Sequence, residues 1–147
     1  MEMENAMGKV WADVELSNAS DEFLLTSGSL GTESVRKTNV RALVDCGATM
    51  LVLPLESIKA LGLQLTRTAR SRFADGKIHE RNIYGPVKVK VFQRTMQTEA
   101  LEGAPGIPAL LGQIPLEALD LLIDPKNQRL ILNPESPYPE MALVDVF

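Results

Sequence analysis

A short apolar run that ends in an acidic turn constrains the fold of this chain more than any other feature. The segment from Val35 to Val44 finishes in Ala-Leu-Val, and Asp45-Cys46-Gly47 follows at once. Gly47 has the backbone freedom that a sharp reversal needs, and a second apolar run, Met50 to Leu53, comes soon after it. The pattern predicts a strand that runs into a turn carrying a carboxylate, with another strand leaving that turn.

Most other segments also have strand patterns. Between Lys9 and Leu16, apolar and polar residues alternate with a period of two, which is typical of a strand with one buried face. Asp75-Gly76 separates two further strand-like segments and predicts a two-residue turn of type I′. Asn18 to Asp21 has the composition of a turn. Strands are predicted over residues 9–16, 23–30, 35–44, 50–53, 64–73, 78–92, 109–112, 121–123 and 129–132.

Two short helices interrupt these strands in the prediction. Pro54 suits the first turn of a helix, and Gly62 suits the C-cap that would end it. Pro115 to Leu119 is the second and weaker helix candidate. Because strand patterns dominate, we expect an all-β fold with one or two short helices.

Size and charge limit the function classes. With 147 residues the chain is expected to form one domain, in which residues 1–7 are a disordered N-terminal extension and residues 133–147 a C-terminal tail. The net charge of -4 argues against a phosphate-binding surface, so we expect no nucleic-acid partner. No apolar run approaches the roughly 20 residues that span a bilayer. Because the acidic start also differs from a signal peptide, we expect no membrane partner and a cytoplasmic location.

Cysteine and histidine are too scarce for a disulfide or a zinc site. Cys46 is the single cysteine and His79 the single histidine, so we expect no metal and no other cofactor. A nucleophilic Cys46–His79 pair is conceivable from the residue types. The charged neighbours Glu80 and Arg81 favour a solvated surface histidine instead.

The segment from Ala42 to Thr49 resembles the catalytic segment of retropepsin-like aspartic proteases, in which apolar residues precede Asp-Thr-Gly-Ala or Asp-Ser-Gly-Ala. The resemblance implies that Asp45 is catalytic, and that the active-site loop consists of Cys46, Gly47, Ala48 and Thr49. It further implies a closed, mostly antiparallel acid-protease barrel.

Two more segments match features of the same family. The hairpin from Phe73 to Ile83 lies where the family has a flap over its substrate, and this resemblance places the flap at Phe73, Ala74, Asp75, Gly76, Lys77 and Ile78. The family's late helix follows an apolar strand that supports the site, and the corresponding residues here are Leu110, Leu111 and Gly112. The implied substrate is a protein or peptide in extended conformation.

The chemistry of this family explains why one such chain is not enough. Two carboxylates held side by side share one proton, so that one can activate a water while the other polarises the scissile carbonyl. The chain has a single Asp-x-Gly-Ala segment. The second carboxylate must therefore come from another copy, which predicts a homodimeric aspartic endopeptidase with Asp45 opposite Asp45.

Cys46 departs from the family pattern, which has Thr or Ser at this position. A thiol is a weaker hydrogen-bond donor than a hydroxyl, so the rigidity of the paired site is open to question. One interpretation is that Cys46 is a small residue that still fits and leaves the enzyme active. The alternative is a catalytically weak or inactive retropepsin-like dimer that serves as a binding or scaffold module.

Overall fold

Nine strands and three short helices follow one another in the part of the chain that the structure describes. The structure is a computed structural model and describes residues 9–31, 34–72, 74–144 and 146. The strands are β1 (Trp11–Asn18), β2 (Lys37–Val44), β3 (Leu51–Leu53), β4 (Gln64–Arg72), β5 (Ile78–Val91), β6 (Arg94–Glu102), β7 (Leu110–Leu111), β8 (Leu121–Asp124) and β9 (Arg129–Leu132). The helices are α1 (Ala19–Thr26), α2 (Leu55–Leu61) and α3 (Gln113–Leu119). The predicted mainly-β class is confirmed, and the N-terminal extension at residues 1–7 lies outside the described residues.

Seven strands form one sheet in the order β1-β2-β7-β3-β6-β5-β4. Because β1 also pairs with β5, hydrogen-bonded neighbours link six of these strands into a ring, and β4 extends from it beside β5. Most pairs are antiparallel, as expected, whereas β2–β7 and β3–β6 are parallel. β8 and β9 form a separate antiparallel hairpin, which was predicted.

One face of this sheet carries the hydrophobic core. The alternation predicted at the start of the chain is confirmed, because Val10, Ala12, Val14 and Leu16 are buried. Further members of the core on the sheet are Ala42, Val44, Leu51, Leu53, Val87, Val89, Val91, Ala100 and Leu111. Burial of one large aliphatic side chain stabilises a fold by about 1.5–3 kcal/mol. The cluster therefore determines which face of each strand points inward.

Helix α1 replaces a predicted turn and strand. Residues 18–21 were expected to form a turn and residues 23–30 a strand, and both predictions are wrong. Asn18 caps the helix, since its side-chain oxygen accepts a hydrogen bond from the Asp21 amide at 3.0 Å. Arg36 donates to the buried Asp21 carboxylate from Nε at 2.8 Å and from Nη2 at 2.9 Å. Because Arg36 is 15 residues away in sequence, local composition does not reveal this contact.

The connection between β4 and β5 is longer than predicted. β4 ends at Arg72, β5 begins at Ile78, and these two residues pair with each other, so the predicted two-residue type I′ turn is wrong. Gly76 has a φ of 80°, the conformation that favours glycine. Asp75 accepts a hydrogen bond on Oδ1 from the Lys77 amide at 2.8 Å, a local contact that stabilises the wider turn.

The two predicted helices are confirmed. α2 ends at Gly62, whose φ of 62° is the left-handed C-cap conformation expected there. α3 begins at Gln113, two residues before the predicted start at Pro115. Within the described ranges, no helix combines the length and the apolar character that crossing a membrane requires.

Strand β6 was missed because polar residues interrupt its apolar pattern. Its first residue, Arg94, is only 2% exposed. The Arg94 guanidinium donates from Nη1 to the backbone oxygens of Leu119 at 2.9 Å and Asp120 at 2.8 Å. From Nη2 it donates to the carbonyl of Ser136 and, at 2.9 Å, to that of Tyr138. The arginine thus attaches the C-terminal segment to the end of α3.

Candidate active site

Asp45 lies directly beyond the end of β2, where β2 runs parallel to β7. Its amide continues the strand pairing and donates to the Leu111 carbonyl at 3.1 Å. The chain then turns, because the Ala48 amide donates to the Asp45 carbonyl at 3.1 Å. The Gly47 amide donates to Oδ1 of the Asp45 carboxylate at 2.9 Å. The half-buried carboxylate is therefore oriented by its own loop while it stays accessible to solvent.

Two glycines permit this close arrangement. A Cβ atom at Gly47 would lie 3.2 Å from Asp45 Oδ1, which would crowd the carboxylate. A Cβ atom at Gly112 would lie 2.7 Å from the Ala48 carbonyl oxygen and would also overlap the carbonyl oxygen of Met50. Glycine at position 112 thus allows the end of β7 to touch the loop that carries Asp45.

Helix α3 anchors the same loop through its first backbone amides. The Gln113 amide donates to the Ala48 carbonyl at 2.8 Å, and the Ile114 amide donates to the Thr49 carbonyl at 2.9 Å. These amides have no partner within the helix, because the first turn lacks preceding carbonyls. The structure therefore brings the loop from Asp45 to Thr49 against Leu111 and Gly112, two of the three residues expected to support it.

A row of apolar side chains crosses the sheet beside Asp45, on the face opposite the core. Residues that pair across neighbouring strands share a face of the sheet. Leu43 pairs with Leu110, Leu110 also pairs with Val52, and Val52 pairs with Leu101. The set, named here the apolar row, consists of Leu43, Leu110, Val52, Leu101 and Ile83. Side chains alternate between the two faces of a strand, so Leu43 and Asp45, two positions later, lie on the same face. The apolar row and the Asp45 carboxylate therefore face the same way.

Most of the apolar row was not recognised from the sequence. Val52 and Ile83 are buried, at 8% and 1% exposure, while the other three members are partly exposed. Only Leu110 was predicted to belong to the site. The available signal was the consecutive apolar residues of β3 and β7, because a strand with no polar alternation has two apolar faces.

The predicted flap forms the tip of the β4–β5 hairpin. Phe73 lies outside the described residues, and Ala74, Asp75, Gly76, Lys77 and Ile78 are exposed. The pairing of β5 with β6 ends at Ile83, so residues 67–72 and 78–82 extend beyond it as a two-stranded ribbon. This segment is named here the ribbon.

Cys46 and His79 occupy different surroundings. Cys46 is exposed in the loop that follows Asp45. His79 lies on the ribbon opposite Ser71, with its Nε2 3.9 Å from the Asp75 carboxylate. Among the residues that the structure describes, no three His, Cys, Asp or Glu side chains are grouped to hold a metal ion.

A groove of about 740 Å³ borders β1 and does not include Asp45 among its lining residues. Its walls mix aromatic and charged side chains, including Trp11, Phe92 and Arg129. The Arg41 guanidinium lies 5.2 Å from the centre of the Trp11 ring and covers one face of that ring. The loop from Asp45 to Thr49 therefore lies outside this groove.

A protein-family model described as aspartyl protease matches residues 32–113. The matched span covers more than half of the chain and runs from before β2 to the first residue of α3. It therefore includes the Asp45 loop, the apolar row and Gly112.

Two solved structures are similar to this chain at low sequence identity. One is a retropepsin-like aspartic protease from Rickettsia conorii, with 15% identity, a TM-score of 0.44 and coverage of 80% of this chain and 88% of that chain. Another is a protein of unknown function from Legionella pneumophila, with 13% identity, a TM-score of 0.37 and coverage of 74% and 87%. No curated protein matches the chain.

Proposed function

The chain belongs to the aspartyl protease family, and from this membership we propose that it is an aspartic endopeptidase with Asp45 as its catalytic residue. The observation that carries the proposal is the placement of Asp45 at the end of a parallel strand pair, oriented by the Gly47 amide and flanked by the apolar row. A positioned and accessible carboxylate can remove a proton from a bound water. An apolar surface beside it can hold the substrate side chains.

The proposed enzyme is a homodimer. The reaction requires two carboxylates, and the chain contains a single Asp-x-Gly-Ala segment. Two-fold symmetry is the simplest arrangement that sets Asp45 opposite the Asp45 of a second copy. Exposure of Cys46 and Gly47 supports this arrangement, because it leaves the loop accessible to a second subunit.

In the paired site the two carboxylates share one proton, since two adjacent negative charges repel each other. The ionised carboxylate takes a proton from water while the water oxygen bonds to the scissile carbonyl carbon. The protonated carboxyl gives its proton to the carbonyl oxygen, so that a tetrahedral diol forms. The carboxyl that took the proton from water then passes it to the peptide nitrogen, while the other carboxylate takes a proton from a diol hydroxyl. The carbon–nitrogen bond breaks, the amine and the carboxylic acid leave, and the pair again holds one proton without a covalent bond to the enzyme.

The proposed substrate is a peptide in extended conformation that lies along the apolar row. Residues 73–78 would act as the flap and close over the peptide from the opposite side. The ring of six paired strands supports a closed barrel beneath this cleft.

Replacement of Asp45 tests the proposal. Asp45→Asn keeps an oxygen that can accept from the Gly47 amide, so the loop and the dimer should persist. Cleavage of a peptide library should fall by about a thousandfold or more, because the proton acceptor is lost. Glu56→Gln, on the exposed side of α2, is the matched control and should cleave normally. Cleavage by Asp45→Asn at the wild-type rate would refute the assignment.

The exposed thiol of Cys46 supports a second candidate function, a dimer that binds peptides without cleaving them. Cys46→Thr restores the family's hydroxyl and separates the two candidates. If the protein is an enzyme, the wild type cleaves peptides and the variant is at least as active. If it is a scaffold, the wild-type dimer shows no turnover on the library, and any activity appears only in the variant.

A further inference from the structure

Strand β1 has an open edge over its first half. β1 pairs with β2 from Trp11 to Ser17, but it pairs with β5 only from Glu15 to Asn18. Beyond Val91 the chain leaves β5 and turns into β6, so it does not continue beside β1. On the β5 side, residues 11–14 therefore have no paired strand among those that the structure describes.

Backbone groups of Trp11 and Asp13 point towards this open edge. The Val44 amide donates to the Val10 carbonyl at 2.8 Å, so Val10 and every second residue after it bond to β2. The residues between them direct their N–H and C=O groups to the opposite side, where Glu15 pairs with β5. Neither Trp11 nor Asp13 forms a backbone hydrogen bond on that side within the described ranges. The open edge thus offers an amide and a carbonyl from each of these two residues.

The open edge lies in the groove of about 740 Å³ that borders β1. The lining of this groove includes the apolar residues Val40, Val91 and Leu130. A concave site of this size, with apolar walls and a few polar groups, is typical of ligand-binding sites. Here the polar groups are backbone donors and acceptors in alternation, the pattern that another backbone in extended conformation matches. The chemistry of the groove therefore favours an extended peptide.

Phe92 forms one wall of the groove in an unusual backbone conformation. Its φ is 55°, in the left-handed region that few residues other than glycine adopt, and the residue is 49% exposed. Glycine suits such a turn better, and burial in the core does not account for the aromatic ring. Non-glycine residues held in this region cluster at ligand sites. A role as the wall of a binding groove explains why an aromatic residue occupies this turn.

The groove adjoins the surface that the proposed substrate would occupy. Trp11 pairs with Leu43, the first member of the apolar row. In an antiparallel pair, the Cβ atoms of directly opposite residues lie about 4.5–5.5 Å apart. A protein chain that lies on the apolar row beside Asp45 would therefore have the open edge one strand away.

We propose that the open edge of β1 is a second peptide site, at which an extended segment of the protein substrate adds to the sheet as a strand. The inference rests on the proposed function and adds to it the recognition of a segment other than the one that is cleaved. The backbone of this segment bonds to Trp11 and Asp13, and its alternate side chains contact the walls of the groove. Holding one segment here raises the concentration of the scissile segment at Asp45.

A fluorescence titration tests binding at the open edge, because Trp11 is the single tryptophan of the chain. The probe is a short acetylated and amidated peptide in which Val and Thr alternate, and Asp45→Asn protein is used so that cleavage does not interfere. Two further peptides carry N-methyl groups on either all Val amides or all Thr amides. Each keeps every side chain but loses the hydrogen-bond donors of one edge.

A strand that adds through one edge should respond to only one of these two modifications. One methylated peptide should bind like the parent peptide, and the other should bind at least about tenfold more weakly, because the donors that face β1 are lost. Absence of a saturable change in Trp11 fluorescence, or equal weakening by both sets of N-methyl groups, would overturn the inference.

Two variants and one control locate the binding in the groove. Phe92→Gly removes the aromatic wall at a φ that glycine tolerates, so the chain should fold and bind the probe several-fold more weakly. Gln128→Gly is the matched control, because Gln128 has a φ of 50° and does not line the groove. Asp13→Pro removes one donor of the open edge without breaking a bond to β2, so it keeps the test informative if Phe92→Gly folds poorly. Unchanged affinity in both variants would place the probe elsewhere and overturn the inference.

A substrate with two segments tests whether the open edge serves the reaction. The library peptide that the wild type cleaves best is joined by a flexible Gly-Ser linker to the Val-Thr segment, and its control carries the methylated segment that does not bind. KM should be about tenfold lower for the first, with kcat unchanged, because the bound segment raises the effective concentration of the other. Equal KM values would overturn the inference and leave the proposed function standing.

Two other outcomes separate this inference from its alternatives. If the wild type cleaves no peptide, the proposed function falls, and the titration of Asp45→Asn protein still decides whether the open edge binds an extended peptide. If the probe dissociates dimers in sedimentation, the occupant of the open edge is a second copy of the chain, and the inference is overturned.

Discussion

Asp21 is a buried acid whose charge is stabilised by one neighbour. Besides the two guanidinium contacts, the Arg36 amide donates to Asp21 Oδ2 at 3.0 Å. The side-chain hydrogen bond with Arg36 lowers the pKa of the Asp21 carboxyl below its ordinary value, against the opposing effect of burial. The same guanidinium lies over Gly62, where a Cβ atom would overlap it. The ion pair therefore connects α1 to the end of α2.

The lowered pKa of Asp21 gives the stability of the fold a pH dependence of known sign. The folded-state pKa lies below the unfolded value of about 3.9, so the pair stabilises the fold fully above that pH. This contribution is lost as the pH falls from about 4 through the folded pKa. Above about pH 4 the wild type should unfold at a higher urea concentration than Asp21→Asn. The difference between their two unfolding midpoints should become smaller as the pH falls below about 4. Arg36→Gln should show the same narrowing, and a gap that is constant with pH would contradict the prediction.

Residues whose roles depend on local chemistry could be predicted from the sequence, and those with distant partners could not. The turn at Asp45 was predictable because an apolar strand, an acid and a glycine follow one another directly. The burial of Arg94 was not predictable, because its guanidinium is stabilised by backbone oxygens 25 to 44 residues away in the sequence. The pairing of Asp21 with Arg36 escaped prediction for the same reason.

At the scale of elements, the contact between the end of β7 and the Asp45 loop depends on Gly112. Ala48 and Thr49 present their carbonyls to the first amides of α3, and this approach leaves no room for a side chain at position 112. Added atoms in a packed interior typically cost about 1–3 kcal/mol, or more where backbone must move. The loop that carries the candidate catalytic residue is therefore the part most sensitive to a change here.

Gly112→Ala should destabilise the fold by at least about 1–3 kcal/mol and reduce peptide cleavage further by displacing Asp45. Gly85→Ala is the matched control, because a Cβ atom there would meet Glu99 and Thr98 only at 3.6 Å, an ordinary contact distance. Urea unfolding measures the loss of stability, and kcat measures the displacement of Asp45. An unchanged unfolding midpoint in Gly112→Ala would show that the loop and β7 are not in close contact.

The elements that could be predicted are those with a regular apolar pattern or a glycine signal. The alternation from residue 9 to 16 predicted β1, and Gly62 predicted the end of α2. α1 escaped prediction because its capping by Asn18 and the Arg36 contact outweigh the turn composition of the segment. β6 escaped because polar residues interrupt its apolar pattern, and its first residue, Arg94, is buried through partners elsewhere in the fold.

At the scale of the whole molecule, the ring of strands leaves the Asp45 loop open on one side. β2, β7 and β3 bring the loop, Gly112 and the apolar row together within one chain. The chain holds one Asp-x-Gly-Ala segment, so the proposed chemistry needs a second copy. The homodimer stays a prediction from the sequence, whereas the position of the ribbon on the face of the apolar row required the strand register.

Mixing active and inactive subunits tests whether each site needs two copies of Asp45. Asp45→Asn chains should exchange with wild-type chains and form mixed dimers that hold a single carboxylate. If a productive site requires both, cleavage per wild-type chain falls in proportion to the wild-type fraction, to about half in an equal mixture of freely exchanging chains. If each chain acts independently, the rate per wild-type chain stays constant. Sedimentation of the mixture establishes that dimers are present, so a constant rate in a dimeric sample would contradict the shared site.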